Sequence, residues 1–154
     1  MNARQPSPSA QLSAFLSRFP SEIAALVKRC LPKLRRAFPG AYQLVYDYSN
    51  SLVVAFGMSD RGYEAIVALS ISPRSVRLYF DKSLPDPNSL LEGSGGKVRS
   101  VTLRAASDLD HGDIHALIKA AIRHSGVTFP RKRSARMIIK SESKKRRPRR
   151  TGHA

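Results

Sequence analysis

The sequence predicts an α+β domain: an antiparallel meander sheet of about five strands, packed with N-terminal helices and a C-terminal helix, followed by a disordered basic tail. Three observations carry this. An amphipathic helical pattern over Glu22 to Phe38 comes first in the chain. A block of short apolar runs joined by four-residue polar turns follows it. A second helical stripe, over Asp108 to Arg123, closes the folded part.

The front pattern is the clearest. Ile23, Leu26, Val27, Cys30, Leu31, Leu34 and Phe38 fall on one side at helical spacing, and Lys28, Arg29, Lys33, Arg35 and Arg36 fall on the other. Ser21 is placed to cap it, with Glu22 favourable in the first turn. Pro32 lies on the polar side, where a lost backbone bond does not open the apolar face. Pro39-Gly40 ends the helix. A shorter helix over Gln11 to Phe19 precedes it, broken by Pro20.

Strands are predicted over Tyr42 to Tyr48, Leu52 to Met58, Glu64 to Ile71, Val76 to Asp81 and Lys97 to Arg104, the last with a bulge near Ser100. The turns Ser49-Asn50-Ser51, Ser59-Asp60-Arg61-Gly62 and Ser72-Pro73-Arg74-Ser75 are too short for helical crossovers, which argues for antiparallel pairing. In the last helix Ile114, Leu117, Ile118, Ala121 and Ile122 form the stripe, and Asp110 is its expected cap. Phe80, Leu90, Leu91, Leu103, Leu117 and Ile118 are expected in one core cluster. These elements divide the chain into a lead (1–9), the α+β domain (10–126) and the tail (127–154).

The formal charge of +16 is concentrated: residues 131–154 hold eleven Lys or Arg and one acid, so the tail supplies +10 and the rest of the chain +6. A cationic appendage of this density is drawn to polyanions. Arg131, Lys132, Arg133, Lys144, Lys145, Arg146, Arg147, Arg149 and Arg150 are the candidate nucleic-acid contacts. No aromatic follows Phe129, so base stacking is not expected from the tail itself. Residues 132–154 are expected to be largely disordered, with a short helix around Arg133 to Ile139 as the exception. One cysteine, Cys30, excludes an internal disulfide and fits a reducing compartment. No apolar run reaches the ~18 residues a spanning helix needs, and Met1 to Ser9 lacks an apolar signal core. The expectation is a cytoplasmic protein with no membrane partner.

Two constellations are candidates for a ligand. Gly93, Gly95 and Gly96, followed by Lys97 and Arg99, could turn backbone N–H groups and positive charge toward an anion, although the spacing is not that of a P-loop. The alternative is a turn whose glycines take positive φ. His111 and His115 share a helix face at i, i+4, a spacing that metals use; acids near a helix N-terminus equally serve as caps. Cys30 reads as core rather than nucleophile. No serine sits in a nucleophile elbow, and nothing in the sequence commits the chain to catalysis or to a cofactor.

The stretch from Tyr79-Phe80 through Asp86-Pro87, Leu90-Leu91-Glu92-Gly93, Lys97 and Arg99, continuing into Asp108-Leu109-Asp110 and the alanine-rich last helix, resembles the YdhG-like family, a bacterial family of unknown function. The resemblance is strongest over Arg77 to Ile122, and the front helix followed by Pro39 is also similar. Tyr42 to Gly57 departs from the family, having neither its Trp nor its Gly-Pro. The resemblance implies an α+β layer arrangement. Some relatives are described as frataxin-like iron-binding proteins, which supplies an alternative to nucleic-acid binding: a metal or small-anion carrier. Against it, the front helix bears one acid, Glu22, and five bases, a poor surface for a cation.

Overall fold

The computed structural model describes residues 6–87, 89–93, 99–129 and 136–143. Helix α1 spans Pro8–Leu16 and α2 spans Ser21–Ala37. Strands β1 (Tyr42–Asp47), β2 (Leu52–Gly57), β3 (Ala65–Ile71), β4 (Val76–Phe80) and β5 (Arg99–Leu103) follow. A 3-10 turn at Ala106–Leu109 leads into α3, Gly112–Ser125, and the chain returns as β6, Arg136–Ser141.

The sheet order is β5-β4-β3-β2-β1-β6. The first five strands form the expected antiparallel meander. The sixth corrects the expectation in two ways. It makes the sheet mixed, because β6 runs parallel to β1, with Tyr42 opposite Arg136 and Val45 opposite Ile139. It also lies inside the segment assigned to a disordered tail, and it is a strand where a helix was expected. Met137-Ile138-Ile139 is a short apolar run rich in β-branched side chains, which suits a half-buried pleat better than a lone helical turn. Residues 144–154 lie outside the described residues.

Register determines what each face carries. Val45 stands opposite Val54, which stands opposite Leu69 and then Leu78 and Val101. This row faces the helices and belongs to one core with Leu16, Val27, Cys30, Leu34, Leu117 and Ile118. The expected cluster is present: Phe80, Leu91, Leu103, Leu117 and Ile118 are buried in it, and Leu90 is half-buried against it. The opposite face carries Tyr42, Leu44, Tyr46, Ala68, Arg77, Tyr79 and Thr102, alternating with the core positions.

Phe38, just past α2, joins the two ends of the core. It lies 5.9 Å from the Phe56 ring and meets Phe129 edge-on at 6.1 Å. Phe129 and Met137 pack on the core, so the packed unit continues past α3. Helix α3 stops at Gly126, whose φ of 73° is a left-handed cap that glycine tolerates best.

Several local details differ from the sequence expectations. The β4–β5 ladder runs in unbroken register, with no bulge at Ser100. Pro20 occupies the N-cap of α2, and Ser21 is already helical. Asp110 does not cap α3; it bonds the Lys33 Nζ at 2.5 Å instead. That bond holds the Asp110 carboxyl below the usual carboxylate range. Among the described residues, no helix is long and apolar enough to cross a membrane.

Candidate functional site

The sequence-predicted sites fare unequally. Of the glycine loop, Gly95, Gly96 and Lys97 lie outside the described residues. Gly93 has a φ of 117°, a backbone state that favours glycine. Arg99 turns away from an anion role: its guanidinium donates to the carbonyls of Lys82 (3.0 Å) and Leu84, tying β5 to the loop after β4. Asp86 holds the Leu-Leu segment, accepting the Leu90 N–H at 2.9 Å and the Leu91 N–H at 2.8 Å. Glu92 faces the sheet and pairs with Arg77 at 3.0 Å.

His111 and His115 are not brought together with acids. His111 sits at the exposed N-cap of α3. His115 Nδ1 lies 3.0 Å from the Leu109 carbonyl oxygen. Asp108 accepts from the Arg104 and Ala105 N–H groups at 2.9 and 3.2 Å. Among the described residues, no group of three His, Cys, Asp or Glu side chains is arranged to hold a metal. Cys30 is fully buried, and burial pushes its thiol up to about 11, helped by Asp108 and opposed by Lys33. A thiol held protonated in this way is not a nucleophile at neutral pH.

Among the bases, Arg131, Lys132, Arg133, Lys144, Lys145, Arg146, Arg147, Arg149 and Arg150 lie outside the described residues. The strand between them is described, and the second basic run follows it in the sequence. β6 ends beside the end of β1, where the Ser143 N–H donates to Asp47 Oδ2 at 3.1 Å. Asp47 is buried, and Arg18 lies 3.6 Å from the same oxygen. Tyr46 pairs with Ser141 across the parallel ladder, and its ring stacks on Tyr48 at 6.1 Å with 10° between planes. Burial and the neighbouring Tyr48 raise the Tyr46 hydroxyl above its ordinary range. At the other end of the strand, the Arg136 guanidinium lies over the Tyr42 ring, 5.9 Å from its centroid. Lys140 reaches across to the Asp60 carbonyl at 2.8 Å. Thus β6 adds two exposed bases to a sheet edge beside tyrosines.

A further constellation was not legible in the sequence. A cavity of about 430 Å³ opens between the β2–β3 loop, the end of β4 and the C-terminal turn of α3. At its rim, Ser83 Oγ lies 2.8 Å from His124 Nε2, and Asp81 Oδ2 lies 3.6 Å from the same nitrogen. Ser83 also bonds Asp81. This is not a hydrolytic triad, in which the acid orients the imidazole through the nitrogen opposite the serine. Here acid and hydroxyl share one nitrogen. The Ser83 hydroxyl, chiefly, and the charge of His124 hold the Asp81 carboxyl below its ordinary range against partial burial. It is an anion at neutral pH.

Neither the known protein families, nor the curated proteins, nor the solved structures contain a match to this chain.

Proposed function

We propose that this chain is a small nucleic-acid-binding module. In this reading a cationic C-terminal arm supplies most of the affinity, and the edge of the sheet at β1 and β6 supplies its footing. The observation that carries it is the anchoring of β6 on β1. β6 pairs with β1 where Tyr46 stacks on Tyr48, and Lys144 to Arg150, six bases in seven residues, follow it in the sequence.

An arm that neutralises phosphates releases their counterions, whatever the sequence of the nucleic acid. The Tyr46–Tyr48 pair, with Tyr48 about half exposed, puts aromatic rings at this end of the sheet, and base–aromatic stacking is tolerant of sequence. Single strands are therefore favoured over duplex. The front helix contributes less, because Lys33 and Arg35 are engaged within the protein by Asp110 and Gln43.

The test is binding of a labelled single-stranded oligonucleotide and its duplex across a salt series. The full chain should bind both, with log affinity falling against log salt by roughly 0.7 per phosphate contacted on the single strand and 0.9 on the duplex. Tyr48→Ala should weaken the single strand and leave the duplex unchanged. No binding by the full chain at low salt would reject the reading.

A further inference from the structure

We propose that the cavity beside Asp81 and His124 binds a small organic cation, a primary ammonium carried on an apolar body. The site lies at the C-terminal turn of α3, neither Tyr46 nor Tyr48 is among its described lining residues, and the proposal does not rest on the nucleic-acid reading.

The argument starts from charge. The chain carries 27 Lys and Arg, yet among the described residues none lines this cavity. Its ionisable lining is Glu64, Asp81 and His124. In a protein of +16, a concave surface that gathers two carboxylates, with no lysine or arginine among its described lining residues, selects for positive charge and against anions. This also separates it from the small anionic ligand expected at the glycine loop.

The carboxylates are positioned to accept. Every polar contact of the Asp81 carboxylate with the described residues runs to Oδ2, which meets Ser83 and His124. That leaves Oδ1 open to a donor. Across the opening, Glu64 Oε1 accepts from the Ser59 hydroxyl at 2.5 Å, which fixes the carboxylate. Its other oxygen lies 3.6 Å from the guanidinium of Arg61, a well-exposed side chain on the same loop. An organic ammonium can take that oxygen in place of Arg61 while the rest of the site stays as it is.

The walls specify the remainder of the ligand. Met58, Ile66, Leu84, Ala121 and Val127 give an apolar lining, and Ile66, Leu84 and Ala121 are part of the packed core. Ile66 is the extra residue where the β2–β3 register shifts between Phe56 and Gly57, and such a bulge re-aims side chains at the sheet end. Tyr63, 83% exposed, stands at the opening, where a phenol ring attracts a cation through its face. A volume of about 430 Å³ lies in the range of small-molecule sites. A compact monoamine with an apolar body fits this lining; a long polyamine would leave its inner charges against the apolar wall.

The experiment titrates the isotope-labelled full chain with three probes of similar shape: 2-phenylethylammonium, 2-phenylethanol and 3-phenylpropionate. Amide shifts report both site and affinity. The ammonium should perturb Glu64, Asp81 and the segment from Ala121 to Val127. Its affinity should fall about tenfold in Asp81→Asn, the loss of one charge-assisted contact. Glu64→Gln should also weaken it, and serves if the first variant does not keep the native spectrum. The alcohol should bind more weakly than the ammonium, and the carboxylate should not bind. The proposal is overturned if the ammonium does not bind, if it perturbs a different surface, if alcohol or carboxylate binds as tightly, or if neither variant changes its affinity.

Discussion

The backbone N–H of Ser143 donates to Asp47 Oδ2 at 3.1 Å, joining two residues 96 positions apart. The bond closes β6 against β1 at the end of the sheet, immediately before the basic run that begins at Lys144 in the sequence. Deleting 144–154 removes the arm and leaves β6 in place; deleting from Arg136 removes a strand.

The two truncations should therefore behave differently. Removing 144–154 should leave the unfolding midpoint close to that of the full chain and abolish most oligonucleotide binding, since those residues include six of the tail's bases in one run. Removing 136–154 should also destabilise the domain, because it uncovers the β1 edge and the apolar surface under Met137 and Ile139. Thermal melts and salt-series binding on both proteins check this. Equal binding by the first truncation and the full chain would move the binding element elsewhere.

Asp47→Ala should destabilise the fold by about 2–4 kcal/mol. It strips the Ser143 N–H of its acceptor and leaves the mostly buried Arg18 guanidinium opposite a methyl group. Exchange protection at the Ser143 amide should fall more than at Val54, deep in the meander. A change below 0.5 kcal/mol in denaturant titration would show that β6 is held by its ladder alone.

How much of this was legible in the sequence divides along contact range. Six apolar positions of α2 and Phe38 just past it repeat at helical spacing, and the first four meander strands are separated by short turns, so each announces itself locally. β6 does not. Its partner β1 lies some ninety residues earlier, its pairing is parallel, and only Met137-Ile138-Ile139 is apolar among bases. A strand half-covered on one face and open on the other leaves little pattern in three residues. The cap of α3 was missed for a similar reason: Asp110 is a good local cap by type, but Lys33, 77 positions away, takes its carboxylate. The cavity draws on Ser59 to Ile66, Asp81 to Leu84 and Ala121 to Val127. No local motif marks it, and the only hint is three polar residues, Asp81, Ser83 and His124, at element ends.

The carboxylate of Asp86 spans two consecutive amides, and its loss should be graded. Asp86→Ala leaves the N–H groups of Leu90 and Leu91 without their acceptors and should cost about 1–3 kcal/mol. Asp86→Asn keeps one carbonyl oxygen and should fall between wild type and alanine. Leu91→Ala should cost about 2–3 kcal/mol, since that side chain is 9% exposed and packs in the main cluster. Denaturant unfolding of the three variants gives the order. An Asp86→Ala protein as stable as wild type would mean that water replaces the carboxylate.

Cys30 links stability to alkaline pH. Its thiol is buried against α2's neighbours, and burial, reinforced by the Asp108 carboxylate and opposed by Lys33, moves it from an ordinary 9.0 to about 11. The sign follows from proton binding. Between these values the unfolded chain gives up the thiol proton and the folded chain keeps it. Rising pH then favours unfolding. The contribution is fully present below pH 9, declines from there and is gone above about 11. Cys30→Ala removes this linkage at the cost of a small cavity that does not depend on pH. Wild type should therefore lose stability more steeply than Cys30→Ala between pH 9 and 11, by a difference on the order of 2 kcal/mol over the interval. Lysines and tyrosines titrate in both proteins and cancel in the comparison. The native thiol should also resist iodoacetamide at pH 8 and react once the protein is unfolded in urea. Parallel stability curves for the two proteins, or ready alkylation of the native state, would place Cys30 in contact with solvent and remove it from the core.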